Sequence, residues 1–149
     1  MKQKDMGLIY ATIEIINSED IGLARRGIID VDEIKRMQIS ALVDTGSYML
    51  AINEQIQSYL QLPVVEKRRA RMADETIIEC DIVAPVEIKF KNRRCTCSAI
   101  VLPGNSEPLL GAIPLEDMDV MINPQCQELT VNPDSPFMAT MKMKELTFA

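Results

Sequence analysis

One aspartate, Asp44, stands at the end of an apolar run, Ala41-Leu42-Val43, and is followed at once by Thr45, Gly46 and Ser47. Two readings of this stretch compete. Asp, Gly and Ser are ordinary turn residues, so the tripeptide Asp-Thr-Gly can simply end a strand. Alternatively, a carboxylate delivered by an apolar strand, with hydroxyls beside it and a glycine that lets another chain approach, has the parts of a general base. No histidine occurs in the 149 residues. That removes Ser–His and Cys–His nucleophile pairs and the His-Glu-x-x-His metalloprotease site together. A hydrolase built from this chain must rely on carboxylates, lysine or hydroxyls.

The four cysteines, Cys80, Cys95, Cys97 and Cys126, form no Cys-x-x-Cys pair. Cys95 and Cys97 fall on one face of a strand. With histidine absent, four thiolates would be the remaining common structural zinc set. Reduced cysteines in the core are the expectation, with no metal and no cofactor. A net charge of -6, a pI of 4.7 and only 4% aromatic residues argue against a nucleic-acid binder, which needs a basic face and stacking platforms. No apolar run reaches the roughly 18 residues of a membrane span, and Met1-Lys2-Gln3-Lys4-Asp5 leads into no signal-peptide core. The expectation is a single cytoplasmic domain with no membrane partner, its 47% hydrophobic content sufficient for a core.

The elements that must position Asp44 are mostly strands. Leu8–Ile16 alternates, with Ile9, Ala11, Ile13 and Ile15 on one face. The charged, glycine-punctuated stretch 17–33 reads as a long loop, and Ile34–Val43 as the strand that carries Asp44. Asn53 can cap a short helix with Ile56, Tyr59 and Leu60 on one side, ended before Pro63. Four strands are expected at Val64–Arg71, Thr76–Val83, Ala84–Phe90 and Arg94–Leu102, the first two forming a projecting hairpin. Its run Lys67-Arg68-Arg69-Ala70-Arg71 suits a solvated edge, the other use being to hold acidic substrate residues. A second short helix starts at Pro114, and Val120–Ile122 with Glu128–Val131 closes the sheet. Met37, Met49 and Met118 suit adaptable core filling. The tail 132–149 has no strong period and reads as disordered or as an edge strand. Many short strands with two short helices make an all-β fold, closed or sandwich-like.

The stretch Ala41-Leu42-Val43-Asp44-Thr45-Gly46-Ser47, the later Leu109-Leu110-Gly111 with a helix behind it, and the hairpin between them resemble the retropepsin-like aspartic proteases, bacterial members especially. The order of parts matches over Leu8–Val131. The resemblance implies a protease domain over 1–131 with Asp44 as the catalytic aspartate. Thr45, Gly46, Ser47, Leu110 and Gly111 would support the active-site loops, and a flap tip at Met72, Ala73, Asp74, Glu75 and Thr76 would cover a peptide substrate. Retroviral members carry an Arg after the supporting Gly and an Asp two residues after the active-site Gly. Ala112 and Tyr48 stand there in this chain.

The mechanism implied by the resemblance needs two carboxylates sharing one proton, and the chain holds a single Asp-Thr-Gly. A twofold homodimer that sets Asp44 against its counterpart is therefore expected. Two other classes stay open at this point. One is a peptide-binding or dimerisation module that keeps the fold without cutting. The other takes Asp-Thr-Gly-Ser as a phosphate-binding turn of a sugar-kinase or actin-like fold, against which stand the short chain and its six glycines.

Overall fold

The computed structural model describes residues 8–143. Among them the element order is β1 (Tyr10–Asn17), α1 (Ser18–Arg25), a 3-10 turn (Val31–Glu33), β2 (Arg36–Val43), β3 (Leu50–Asn53), α2 (Glu54–Leu60), β4 (Val64–Arg71), β5 (Ile77–Phe90), β6 (Arg93–Leu102), β7 (Leu109–Leu110), α3 (Ala112–Asp117), β8 (Val120–Asn123) and β9 (Glu128–Val131). Seven strands form one sheet in the order β1-β2-β7-β3-β6-β5-β4, and β1 also pairs with β5, so the sheet curls over on itself. The all-β expectation is met by this curled sheet, although no barrel is formally closed.

Alternation in β1 sets the curl. Ile9, Ala11, Ile13 and Ile15 are buried while Tyr10 and Thr12 face out. They join Leu50, Ile52, Leu60, Val83, Ile88, Leu110 and Met118 in one core. Burying side chains of this size contributes about 1.5–3 kcal/mol each, so the register of β1 against β2 and β5 is strongly specified. Of the methionines expected in the core, Met118 is fully buried and Met37 is half-buried against it.

The structure corrects four expectations. The stretch 17–33 is not a plain loop but contains α1. That helix buries no apolar stripe, and Asp20 is its sole buried residue. Asn17 Oδ1 accepts from the Asp20 amide at 3.2 Å, and the Asp20 carboxylate accepts from both the backbone N and Nζ of Lys35 at 3.0 Å. A polar cap and a half-buried ion pair hold the helix where periodicity gives no signal, and the short helices number three instead of two.

Residues expected as two strands, 76–83 and 84–90, form the single strand β5, whose register slips between Val83 and Val86. The slip accommodates Pro85, which has no N–H to give to a ladder. Helix α3 begins at Ala112, two residues before Pro114. Finally, β8 and β9 pair with each other as a separate two-stranded sheet and do not extend the large one. Leu129 from β9 still reaches the main core.

Helix α2 lies where expected, but Tyr59, expected on its packing side with Ile56 and Leu60, is exposed. Asn53 Oδ1 accepts from the Ile56 amide at 2.9 Å, Ile56 and Leu60 are buried, and Gln61 ends the helix in the left-handed conformation. In the tail, residues 132–143 form neither helix nor strand, and the remaining tail positions lie outside the described residues.

Candidate active site

Strand β2 runs parallel to the two-residue β7, pairing Leu42 with Leu109 and Val43 with Leu110. Val43 and Leu110 are both buried, which fixes the two strand ends against the core. The Leu42 amide donates to the Pro108 carbonyl at 2.9 Å, and the Asp44 amide donates to the Leu110 carbonyl at 3.0 Å. The backbone of Asp44 is therefore held by the second loop before its side chain makes any contact.

The side chain is held at both oxygens. The Gly46 amide donates to Oδ1 at 3.0 Å and the Ser47 hydroxyl donates to Oδ2 at 2.9 Å. A carboxylate has about four acceptor sites, so lone pairs on each oxygen remain for water or substrate. Asp44 is half-buried and Thr45 is exposed. A Cβ on Gly46 would stand 3.3 Å from Asp44 Oδ1. Glycine keeps that oxygen clear.

Gly111 is where the two loops cross. A Cβ there would meet the Met49 carbonyl oxygen, and would lie 2.8 Å from both the Met49 nitrogen and the Ser47 carbonyl oxygen. All three are backbone atoms and none can swing aside. Past the crossing, the Ala112 amide donates to the Ser47 carbonyl at 2.8 Å and the Ile113 amide to the Tyr48 carbonyl at 3.0 Å. The opening amides of a helix have no partner within it. In α3 the active-site loop itself supplies two of those partners, which is why the helix starts ahead of Pro114. Leu110 and Gly111 are thus brought to Asp44, Gly46 and Ser47.

The flap positions lie at the tip of the β4–β5 hairpin. Its inner residues Ala70, Met72 and Ile78 pack into a small apolar cluster with Ala51, Cys80, Ile100, Leu102 and Leu109. Leu109 precedes the residue that binds the Asp44 amide, so this hairpin face adjoins the loop that carries Asp44. Met72 is half-buried, whereas Ala73, Asp74, Glu75 and Thr76 are exposed. The tip is stapled without glycine. Asp74 Oδ1 accepts from the Thr76 hydroxyl at 2.6 Å and from its amide at 3.0 Å, and these bonds hold the Asp74 carboxyl below its usual range. Arg71 pairs with Glu75 at 3.3 Å. The basic run is partnered within its own hairpin, Lys67 with Asp81 and Arg68 with Glu66, as a solvated edge would be.

Cys80 and Cys95 are buried, Cys97 is half-buried and Cys126 is exposed, the last departing from the expected core position. The Cys97 thiol and burial push the Cys95 thiol well above its ordinary range. Among the described residues, the one group of three side chains able to share a metal ion is Asp30, Asp32 and Glu33, all exposed, and no cysteine belongs to it.

Sequence reasoning missed one polar cluster. Arg93 is buried, its Nη2 donating to the Ser135 carbonyl and lying 3.8 Å from Asp119 Oδ2, while Nε and Nη1 have no hydrogen-bond partner. Asp119 also accepts from Asn132 Nδ2 at 2.9 Å and from the Thr140 amide at 3.0 Å. The signal was present, since Arg93 shares the inward register of β6 with Cys95. The backbone roles of Tyr48 and Met49 leave no mark in side-chain chemistry, and Gly111 alone points to them.

No helix among the described residues is long and apolar enough to cross a membrane. Comparison with curated proteins gives no match. Residues 30–128, a span containing Asp44, the flap hairpin, Gly111 and α3, match a family described as aspartyl protease. With most of its length covered by that match and with this mainly β fold, the chain belongs to the aspartyl protease family of retropepsin type.

Proposed function

We propose that this protein is an aspartic endopeptidase whose site consists of two Asp44 carboxylates, one from each of two copies of the chain. The observation that carries this reading is the fixing of Asp44 at three points, its amide by Leu110 and its two oxygens by Gly46 and Ser47. The chain offers a single such carboxylate on an Asp-Thr-Gly loop, and the chemistry requires two.

Two carboxylates a few ångströms apart do not both ionise. The ionised one takes a proton from water as the oxygen attacks the peptide carbonyl carbon. The neutral one donates a hydrogen bond to the carbonyl oxygen, where negative charge develops. Collapse of the tetrahedral species breaks the C–N bond once the nitrogen has received a proton. Preorganisation of Asp44 favours this work, because the donors need not reorient as charge moves.

Peptide then binds beside Asp44 under the tip of the hairpin, whose inner residues Ala70, Met72 and Ile78 pack with Leu109 and Ala51. The Arg and Asp that pair in retroviral members are replaced together by Ala112 and Tyr48, so the replacement leaves no unpaired charge. The four free thiols suit a reducing compartment such as the cytoplasm. The test is peptide-library cleavage by the native chain and by Asp44→Asn, across pH and protein concentration. Cleavage by the native chain alone supports the reading. Peptide binding without cleavage, with folding intact, would replace it with a non-catalytic binding module.

A further inference from the structure

Two sets of sulfur-bearing residues take no part in the chemistry at Asp44, the Cys95–Cys97 pair and the methionines of the tail. Alternate side chains of a strand share a face. Strand β6 accordingly turns Cys95 inward, 5% exposed, and leaves Cys97 half-buried beside it, with the two thiols hydrogen-bonded to each other. Both line a cavity of about 680 Å³ whose other walls are α3, from Ile113 to Asp117, and the tail residues Thr140, Met141 and Lys142. Met141 thus brings a thioether on a flexible, unbranched stem to the same space as the thiols. This donor set is unlike Asp30, Asp32 and Glu33, whose oxygens suit hard cations. Structural zinc takes a closed tetrahedral set of thiolates and imidazoles, whereas the chain has no histidine and only these two of its cysteines line the cavity. Thiolates with a thioether are soft ligands, and soft ligands select cuprous copper.

We propose that Cys95 and Cys97 bind a single Cu(I) ion on the β6 wall of this cavity, with the Met141 thioether closing over it from the tail. Copper bonds to both thiol sulfurs as their protons leave to water. Its oxidation state does not change, so no electron donor or acceptor is needed. Burial and the contact with Cys97 keep the Cys95 thiol protonated well above its ordinary range, and the incoming metal displaces that proton. Glu116 and Asp117, exposed on the α3 wall, attract the cation. The Lys142 ammonium on the tail wall offsets the negative charge of the finished bis-thiolate complex. Ligation by Met141 would also tie the tail to β6, next to the bond by which the Thr140 amide already holds Asp119.

Anaerobic titration of the reduced full chain against Cu(I) held by bicinchoninate, a coloured chelator, is the test. The native protein is expected to strip a single ion per chain from the chelator, with loss of its colour and a matching gain of thiolate-to-copper absorption in the near ultraviolet. Cys97→Ser changes a half-buried side chain and leaves the core intact, so a folded variant is expected, and it should leave the ion with the chelator. Cys80→Ala and Cys126→Ser, both outside the cavity, should take up copper as the native chain does. Met141→Leu should bind the ion and yield it at a lower chelator concentration. Copper left with the chelator by the native chain, or taken up equally by Cys97→Ser, would overturn the assignment. So would loss of uptake in Cys126→Ser, which would place the ion between copies of the chain. Unchanged affinity in Met141→Leu would overturn the part given to the thioether.

Discussion

A Cβ placed on Gly111 would lie 2.8 Å from the backbone nitrogen of Met49. The loop carrying Asp44 and the loop carrying Leu110 therefore cross with no room for a side chain between them. Gly111 has φ -91, which any residue can adopt, so the need for glycine is one of space and not of backbone conformation.

Gly111→Ala is accordingly expected to destabilise the fold by about 1–3 kcal/mol, the usual range for overpacking a close contact. Because the same crossing holds the Asp44 amide, activity per folded molecule should fall too. Urea unfolding followed by assay below the transition separates the two effects. Unchanged stability would mean that the loops can part without cost.

Asn53 joins two elements, and its replacement should be felt at both. Its Oδ1 caps α2 through the Ile56 amide, and its Nδ2 donates to the Ser106 carbonyl at 2.9 Å. Loss of a cap costs about 0.5–2 kcal/mol. Asn53→Ala should therefore lower the thermal midpoint, while Asn53→Asp should recover the cap but not the bond to Ser106. Equal midpoints for the two variants would assign the whole effect to the bond with Ser106.

These sites differ in how far the sequence reveals them. Asp44, Asn53 and Gly111 are legible because each is a special residue type at a boundary between apolar segments. Helix α1 is not, because what holds it is the pairing of Asp20 with Lys35, fifteen residues on, a contact no local period records. The separate β8–β9 sheet escapes for a related reason: strand character in Val120–Asn123 and Glu128–Val131 says that they pair, but not whether they join the larger sheet. In β5, Pro85 reads as a break between strands, and a register slip absorbs it instead. The loop carrying Asp44 is legible through its residue types, whereas its capping of α3 uses only the carbonyls of Ser47 and Tyr48, which every residue possesses.

If two Asp44 carboxylates make the site, activity per chain should rise with protein concentration through the dimer's dissociation constant. Asp44→Asn should fold normally and lose several powers of ten in rate, as expected for a group that acts as part of a unit. Rate against pH should form a bell whose top marks the form with one shared proton. Activity per chain that stays constant down to a monomeric sample, shown by sedimentation, would exclude a shared site.

The tail supplies a pH dependence of its own. The hydrogen bond from Asn132, with those from Thr140 and Ser135 and the charge of Arg93, holds the Asp119 carboxyl below its ordinary value of 3.8. A carboxyl depressed in the folded state contributes stability above its unfolded pKa and loses it as pH falls through the folded value. Docking of residues 132–140 should thus be unaffected between neutral pH and about pH 5 and should weaken below about pH 4. Asp119 has φ 54, a left-handed conformation that asparagine also tolerates. Asp119→Asn therefore keeps the backbone while removing the charge that faces Arg93 and receives the Thr140 amide. Hydrogen exchange at the Thr140 amide, corrected for the intrinsic effect of pH, should show protection in the native protein at pH 6 that is lost on acidification. The variant should exchange faster at pH 6 and show little further change. A native protein whose Thr140 protection is flat from pH 6 to pH 3 would show that the Asp119 charge does not hold the tail.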